Sequence, residues 1–278
     1  MTRKMPMKEL NLQEIQKIEL NLLKEVDRIC RDQGFRYFMV GGTLIGAVRH
    51  QGFIPWDDDI DISMPRPDYE AFIQYCMTNQ TEFRLLSNRN TENYWNLFSK
   101  VSDPRTKIID SVIDGQDHDA GVSIDIFPID GLGMTLDEAR RTFMKTELKR
   151  DILDARNWKR FSRSKTHGLA YEPIRLAMFL LSRVCSPSGL MKKIEAFSRR
   201  KSFDSQEYSA CIAGAYRTKE IMEKRIYSDY CQLQFQGEQF MAPEHYDEFL
   251  TAIYGNYMEL PPEDKRVTHH TYKAYLLD

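Results

Sequence analysis

Apolar residues recur every three or four positions near the start of the chain. Within residues 8–33 they stand at Leu12, Ile15, Ile18, Leu22, Val26 and Ile29. This spacing is typical of an amphipathic helix. Gly34 follows in the position where a glycine commonly ends a helix. The pattern therefore predicts a helix over residues 8–33.

Short apolar or alternating segments further along predict β-strands. They cover residues 35–40, 57–63, 96–101, 107–110 and 122–130. After the first strand, Gly41 and Gly42 form a turn that leads into a short helical stretch. Pro65 and Pro67 break the chain before a helix predicted at 68–77.

From about residue 136 to residue 230 the pattern becomes helical and basic. The chain as a whole carries a net charge of −2, but residues 140–201 hold 17 Lys and Arg against five Asp and Glu. Large apolar residues lie in the sequence between Arg175, Arg183, Lys192 and Lys193. This pattern is typical of helices that lie on a membrane surface. A solvated helical face over an ordinary core is the alternative. We predict one domain, 1–278, with a core (1–135), a basic helical insertion (136–232) and a C-terminal segment (233–278) that returns to the core.

Composition and cysteine usage narrow the class of protein. With 42% hydrophobic and 12% aromatic residues, a wholly disordered chain is excluded. Five widely spaced cysteines without a CxxC pair argue against a disulfide framework or a thiolate zinc site, and favour a reducing compartment. The charged N-terminus offers no signal-peptide core, and the apolar run at 176–181 is too short to span a bilayer. We expect a cytoplasmic protein, including a peripheral position on the inner face of the plasma membrane.

Three aspartates are the strongest candidates for chemistry. Asp59 and Asp61 point to the same face of an extended strand, and Asp125 stands between apolar residues in the strand at 122–130. Neighbouring carboxylates repel one another, but they are the ligands that Mg²⁺ or Mn²⁺ prefers. We therefore predict that all three bind metal ions and act in catalysis, as in a two-metal phosphoryl-transfer site.

The segment before these acids predicts contacts to an anion. Gly41 and Gly42 allow close backbone approach to a ligand, and a helix starting at Thr43 presents free N–H groups. A tight strand-to-helix turn without a ligand is the alternative for the glycine pair. Arg49 lies further along this helix and would reach a phosphate, or form a salt bridge with an aspartate such as Asp57.

Several of these segments resemble a known family. Gly41-Gly42, the alternating acids at 59–62 and the acid at 124–126 resemble the DNA polymerase beta-like nucleotidyltransferase fold. The string GGTLIGAVRHQGFIPWDDDIDI is similar to the LicD family of phosphocholine transferases, to which fukutin-type proteins are distantly similar. The match continues at 99–106, 121–132, 235–250 and 254–270, and it omits the helical middle. Asn256 stands where many members have Asp, and we expect no chemical role for it.

The resemblance implies an α/β (α+β) fold with a nucleotidyltransferase-like mixed sheet core. It implies a metal-dependent enzyme that moves phosphocholine from CDP-choline to a hydroxyl of a cell-surface glycan precursor, of the teichoic acid or lipopolysaccharide type, and releases CMP. Asp59 and Asp61 would bind the metal ions and Asp125 would share one of them. The reaction that the resemblance implies makes Asp125 the candidate general base, or the residue that holds the metal that acidifies the attacking hydroxyl. A lipid-linked oligosaccharide as acceptor would give the basic segment an anionic membrane surface as partner; no nucleic acid is expected.

The matched segments also contain candidate substrate contacts. Lys100 would contact a phosphate, although a lysine whose stem covers apolar neighbours is the alternative. His269 and His270 would contact a phosphate or the leaving group. A zinc site lacks further ligands at suitable spacing, and a tail that closes the domain is the other alternative for this pair.

Choline recognition requires aromatic faces, and the sequence does not choose among them. The candidates are Trp56, Tyr94, Trp95, Trp158, Tyr246, Tyr254, Tyr257 and Tyr272. Three functional alternatives remain: transfer of a polyol phosphate, nucleotidyl transfer to a small acceptor, and a silent glycan- or membrane-binding module. The intact set of Asp59, Asp61 and Asp125 argues against the silent module.

Overall fold

The computed structural model describes residues 7–109, 120–156, 158, 161, 168–268 and 272–277. The helices in these ranges are α1 (Leu12–Gln33), α2 (Gly41–His50), α3 (Arg66–Thr78), α4 (Leu136–Arg156), α5 (Glu172–Val184), α6 (Pro187–Ser198) and α7 (Tyr246–Tyr254). The strands are β1 (Met7–Glu9), β2 (Phe38–Met39), β3 (Asp61–Pro65), β4 (Arg84–Leu86), β5 (Ser99–Ser102), β6 (Thr106–Ile109), β7 (Ser123–Gly133), β8 (Tyr208–Ala210), β9 (Met222–Glu223), β10 (Tyr230–Phe235), β11 (Glu238–Pro243) and β12 (Lys273–Leu277).

Helix α1 is shorter at its start than the apolar spacing predicts. The Asn11 side chain accepts a hydrogen bond from the backbone N–H of Glu14 at 3.0 Å, and the Glu14 side chain accepts one from the N–H of Asn11 at 2.9 Å. This capping box starts the helix at Leu12. The preceding strand β1 pairs with β12 instead. Gly34 ends the helix in the left-handed conformation, with φ 73°, as predicted.

A mixed sheet forms the centre of the molecule. Its strand order is β2-β3-β7-β5-β4, with β8 paired to β7 and β9 paired to β8. Strands β3 and β7 run parallel, and the other pairs are antiparallel. Strands β1, β12 and β6 form a second sheet, and β10 and β11 form a hairpin. The predicted mixed α/β (α+β) fold is confirmed.

The apolar side of the central sheet packs against helices. Ile62 and Ile126 lie opposite one another on β3 and β7 and are fully buried. Leu23 and Val26 of α1 and Phe72 of α3 belong to the same core. Because side chains alternate along a strand, this packing leaves the intervening positions for polar groups.

The middle of the chain is less helical than predicted. The last of the three helices in this part, α6, ends at Ser198. A short 3-10 helix and strand β8 follow. Strand β8 pairs with β7 over Asp130 and Gly131, so its backbone hydrogen bonds are made in the sheet and not in a helix. The division of the chain into core, insertion and returning segment stays a prediction.

Helix α3 is fixed to the sheet by a buried ion pair. The guanidinium of Arg66 donates to both carboxylate oxygens of Asp130, at 2.7 and 2.8 Å. Burial opposes the charge of Arg66, but Asp130 outweighs it and raises the pKa of Arg66.

The five cysteines are free thiols. Across the described ranges, every helix is too short or too polar to cross a bilayer.

Candidate active site

Two carboxylates meet where the parallel strands β3 and β7 pair. Asp61 lies directly opposite Asp125 in the strand register. Residues paired in this way project from the same face of a sheet. Their sequence neighbours Ile62 and Ile124 are fully buried in the core behind that face. The sheet therefore brings together two of the three predicted acids.

Asp59 lies just before strand β3, because the strand begins at Asp61 and not at Asp59. The backbone carbonyl of Ile60 accepts a hydrogen bond from the N–H of Asp125 at 2.9 Å, which extends the pairing by one residue. Asp59 still acts on the site. Burial first, and then the charges of Asp59 and Asp125, raise the pKa of Asp61 well above its ordinary value.

Lys100 supplies a positive charge to this face. It is paired with Asp125 across strands β5 and β7, and its Nζ lies 2.7 Å from Asp125 Oδ1. Burial opposes the charge on Lys100, but the neighbouring Asp125 carboxylate outweighs burial and keeps the pKa of Lys100 above its ordinary value. Lys100 therefore points into the site; its predicted phosphate contact stays a prediction.

The glycine pair packs against carboxylates. Gly41 has φ 59°, and a Cβ at this position would lie 3.0 Å from Asp61 Oδ2. A Cβ on Gly42 would lie 2.4 Å from Asp57 Oδ2. Helix α2 begins at Gly41, two residues earlier than predicted. The carboxylates thus lie at the positive end of the α2 dipole, where negative charge is stabilised.

Thr43 links this helix to the acidic strand. Its Oγ1 accepts a hydrogen bond from the backbone N–H of Asp61 at 2.8 Å. Thr43 is buried. This hydrogen bond therefore fixes the position of the Asp61 backbone relative to the start of α2. Ligand contacts of Gly41, Gly42 and Thr43 stay predictions.

Arg49 holds the segment after α7. Its Nη1 donates to the carbonyl oxygens of Tyr257 and Glu259, at 2.9 and 3.2 Å, and not to an aspartate. Burial, followed by the nearby charge of Arg266, lowers the pKa of Arg49. His269 and His270 lie outside the described residues.

Two further residues reach the acidic site: Glu19, which the sequence did not assign to it, and Tyr272, which the sequence offered only as one of several aromatic candidates for choline. Glu19 of α1 is 1% exposed, and within the described structure its Oε2 has no hydrogen-bond partner. Burial and then the charges of neighbouring aspartates, led by Asp59, raise its pKa well above the ordinary value. Tyr272, just before β12, donates its hydroxyl to the Asp58 carbonyl oxygen at 3.2 Å. Glu19 had a signal in the sequence, because it interrupts the apolar stripe of α1.

The donor chemistry of this face fits a hard divalent cation. In the parts of the chain that the structure covers, no three His, Cys, Asp or Glu side chains form a group arranged to hold a metal ion. Mg²⁺ often uses only one or two carboxylates, with water and phosphate oxygens completing its shell. Burial and the charges of Asp59 and Asp125 raise the pKa of Asp61, and Lys100 offsets these effects only in part. The metal-ligand roles of Asp59, Asp61 and Asp125 stay predictions.

Comparison with known proteins identifies the family. The model of the LicD/FKTN/FKRP nucleotidyltransferase domain matches residues 34–181, more than half of the chain. The lipopolysaccharide cholinephosphotransferase LicD of Haemophilus influenzae is 31% identical over 278 residues, which cover 98% of this chain and all of that protein. The chain belongs to the LicD family. Ribitol 5-phosphate transferase FKRP, from mouse and from human, is 41% identical over 49 residues, 16% of this chain and 10% of that protein.

Membership of the LicD family confirms two predictions made from the sequence. The first is the resemblance carried by the glycine turn and the aspartates, all of which lie within residues 34–181. The second is that the protein is an enzyme of the phosphotransferase class. The matched region also contains Lys100, whose ammonium lies against Asp125.

Proposed function

We propose that the protein transfers phosphocholine from CDP-choline to a hydroxyl group of a cell-surface glycan precursor, of the lipopolysaccharide or teichoic acid type. The observation that carries this proposal is the adjacent pair Asp61 and Asp125, with Lys100 against it, in a chain similar over its full length to a lipopolysaccharide cholinephosphotransferase. In the reaction, the acceptor oxygen forms a bond to the phosphorus that carries choline. The bond from that phosphorus to CMP breaks, and CMP leaves.

The acceptor hydroxyl must also lose its proton. A carboxylate on the same face as the reacting phosphate is suited to this step. We propose that Asp125 either accepts the proton or holds the metal ion that would acidify the hydroxyl. Lys100, whose Nζ lies 2.7 Å from Asp125 Oδ1, would compensate negative charge on the transferred phosphate. A metal ion, Mg²⁺ or Mn²⁺, held by Asp59, Asp61 and Asp125 would stabilise the negative charge on the attacking and leaving oxygens.

The donor needs contacts for its diphosphate. We propose that the start of α2, at Gly41, Gly42 and Thr43, and the guanidinium of Arg49 provide them, together with His269 and His270. The nearby charge of Arg266 supports an anion site at Arg49, because two cations favour an anion between them.

We infer that the choline group binds against Tyr216 and Tyr254. Their ring centroids are 5.0 Å apart and the ring planes meet at 75°, so the two rings form a corner. Tyr216 is 43% exposed and leaves a face accessible to a ligand. Burial and Tyr216, and then the charges of Asp61 and Glu220, raise the pKa of Tyr254, which indicates that both carboxylates lie nearby. The faces of aromatic rings attract a quaternary ammonium.

Other aromatic candidates are less suited to a cation. Arg266 already lies over the ring of Trp56 at 5.8 Å, and Arg175 over that of Trp158 at 4.6 Å. Tyr94 is 2% exposed. Trp95 packs against the core cluster of α4. Other protein atoms therefore already cover or surround each of these rings.

A lipid-linked oligosaccharide acceptor would place the reaction at a membrane. The basic segment 140–201 supports an anionic membrane surface as partner, since each basic residue near such a surface contributes about 1 kcal/mol. We therefore propose a cytoplasmic enzyme that acts peripherally at the inner face of the plasma membrane.

Polyol-phosphate transfer is the second candidate function. It is favoured by the 41% identity to ribitol 5-phosphate transferase FKRP over 49 residues. The same carboxylates would serve this reaction, because only the group attached to the transferred phosphorus changes.

Calorimetric titration distinguishes these functions. CDP-choline, CDP-ribitol and CTP are titrated with Mg²⁺ or with a chelator into the wild type and the Asp59→Ala and Asp61→Asn variants. Metal-dependent binding of CDP-choline alone, lost in both variants, supports phosphocholine transfer. Preference for CDP-ribitol supports the second candidate, and preference for CTP supports nucleotidyl transfer. No binding of any nucleotide would overturn the proposal in favour of a silent module.

A further inference from the structure

Helix α5 lies with its polar side against the protein. Ser182 is its buried residue, and the Arg175 side chain is 18% exposed. Met178 and Phe179 are partly buried, but most of the large apolar side chains of the helix point outward. Ile174, Leu176, Leu180, Leu181 and Val184 are between 42% and 81% exposed. This is the reverse of a surface helix in water, which turns its apolar face to the core.

Arginine side chains tie α5 to the end of α4 and to Trp158. Arg156 Nη1 donates to the Ser182 carbonyl oxygen at 3.4 Å. Arg183 donates to the carbonyl oxygens of Arg156 and Trp158 and lies over the ring of Phe179. These contacts fix the rotation of the helix about its axis, so the apolar exposure is part of the folded arrangement.

The exposed apolar surface extends to neighbouring residues. Of 18 large hydrophobic residues that are exposed in the described parts of the chain, nine lie between residues 144 and 184. Met144 and Leu148 of α4 are one helical turn apart and are 59% and 56% exposed. A concentration of exposed apolar side chains in one part of the chain is typical of an interaction site.

A basic groove lies between α4 and α6 in the same part of the molecule. It has a volume of about 300 Å³, and four cationic residues line it: Arg141, Lys145, Arg200 and Lys201. Lys201 pairs with Glu138. Within the described ranges, Arg141 and Lys145 have no carboxylate partner at ion-pair distance. Glu138 also lines the groove, and the four cations leave it with a net positive charge that suits a phosphate group.

We propose that α5 is an interfacial helix, which lies in the plane of an anionic phospholipid membrane with its outer face among the acyl chains, while the groove between α4 and α6 receives a lipid phosphate. Its 13 residues are too few to span a bilayer. Apolar residues on one face with arginine and lysine beside them are typical of interfacial helices. The inference deepens the membrane partner in the proposed function, but it rests on the helix geometry and not on the reaction.

Vesicle sedimentation without nucleotide tests the proposal. The wild type is compared with Leu180→Ser/Val184→Ser, using vesicles of phosphatidylcholine with and without phosphatidylglycerol. We expect about a 30-fold lower partition coefficient for this variant, from the apolar area lost at two exposed positions. The matched control Met258→Ser/Leu260→Ser removes exposed apolar side chains elsewhere and should change partition less than about twofold.

A charge variant tests the groove. Arg141→Glu/Lys145→Glu should bind vesicles with phosphatidylglycerol at least about tenfold more weakly and leave binding to neutral vesicles unchanged. Equal partition of the wild type and Leu180→Ser/Val184→Ser would overturn the proposal. A second result would also overturn it: a wild type that binds no vesicles and is dimeric by light scattering, together with a Leu180→Ser/Val184→Ser variant that is monomeric. A second copy of the chain would then cover α5. Failure of CDP-choline binding would leave the vesicle result unaffected, so the two proposals fail separately.

Discussion

Replacing Lys100 with methionine removes positive charge from the acidic face while keeping the length of the side chain. Lys100 Nζ lies 2.7 Å from Asp125 Oδ1, and the two side chains are 28% and 19% exposed. Without this ammonium, the charge of Asp125 beside Asp61 is less well compensated. Loss of one partner from a buried ion pair costs about 3–5 kcal/mol. Solvent screening of this partly exposed pair reduces the expected cost to about 2 kcal/mol.

Thermal unfolding followed by circular dichroism measures this cost. At about 2 °C for each kcal/mol in a chain of this size, Lys100→Met should lower Tm by about 4 °C in the presence of a chelator. Mg²⁺ should restore part of the loss, because a bound divalent cation would again compensate the carboxylates. A double-mutant cycle with Asp125→Asn isolates the pair from other effects of the substitution.

Lys24 provides the matched control for this experiment. Its Nζ lies 2.6 Å from Glu238 Oε1, but the two side chains are 41% and 51% exposed. Exposed pairs contribute little to stability, so Lys24→Met should change Tm by less than about 1 °C. Equal losses of Tm in Lys100→Met and Lys24→Met, or no coupling between Lys100 and Asp125, would refute the reasoning.

Three other substitutions test separate parts of the structure. Burial raises the pKa of Glu220 from 4.5 to about 7. The folded state therefore binds the proton more tightly than the unfolded state does. As a result, the free energy of unfolding falls as pH rises from 4.5 to about 7. Glu220→Gln should remove up to about 3 kcal/mol of this fall, measured by urea unfolding at pH 5 and pH 8, and parallel pH profiles would contradict it. Gly42→Ala places a methyl group 2.4 Å from a carboxylate oxygen and should destabilise the fold by about 1–3 kcal/mol in urea unfolding, whereas Gly189→Ala, with 3.5 Å contacts, should not. Tyr216→Ala should weaken CDP-choline binding about tenfold in calorimetry but leave CDP unchanged; the same loss in the exposed control Tyr230→Ala would argue against the aromatic corner.

Local patterns predicted most of the elements but not all of their boundaries. The spacing of apolar residues and Gly34 located α1 and its end, while its start depends on the hydrogen bonds between Asn11 and Glu14. Strand β3 begins later than the alternation of acids predicts, because pairing with β7 begins its regular ladder at Asp61. The helical prediction beyond Ser198 was wrong, since β8 adds to the sheet. Pairing partners lie far away in the chain, and local periodicity carries no information about them.

The sequence by itself determined the family and the presence of an acidic face. The glycine turn and the alternation at Asp59 and Asp61 are local features, and they required no knowledge of the fold. Only the tertiary structure decided that Asp61 lies opposite Asp125 and that the Lys100 ammonium lies against it, because strand register sets these distances.

The tertiary structure also decided which surfaces are covered. It buried Glu19 beside the aspartates, although most glutamates on a helix of this kind face water. It turned the apolar side of α5 outward, where the sequence allowed either a solvated face or a membrane surface. A helical pattern fixes which residues share a face, but the contacts of the whole fold determine which face meets the protein.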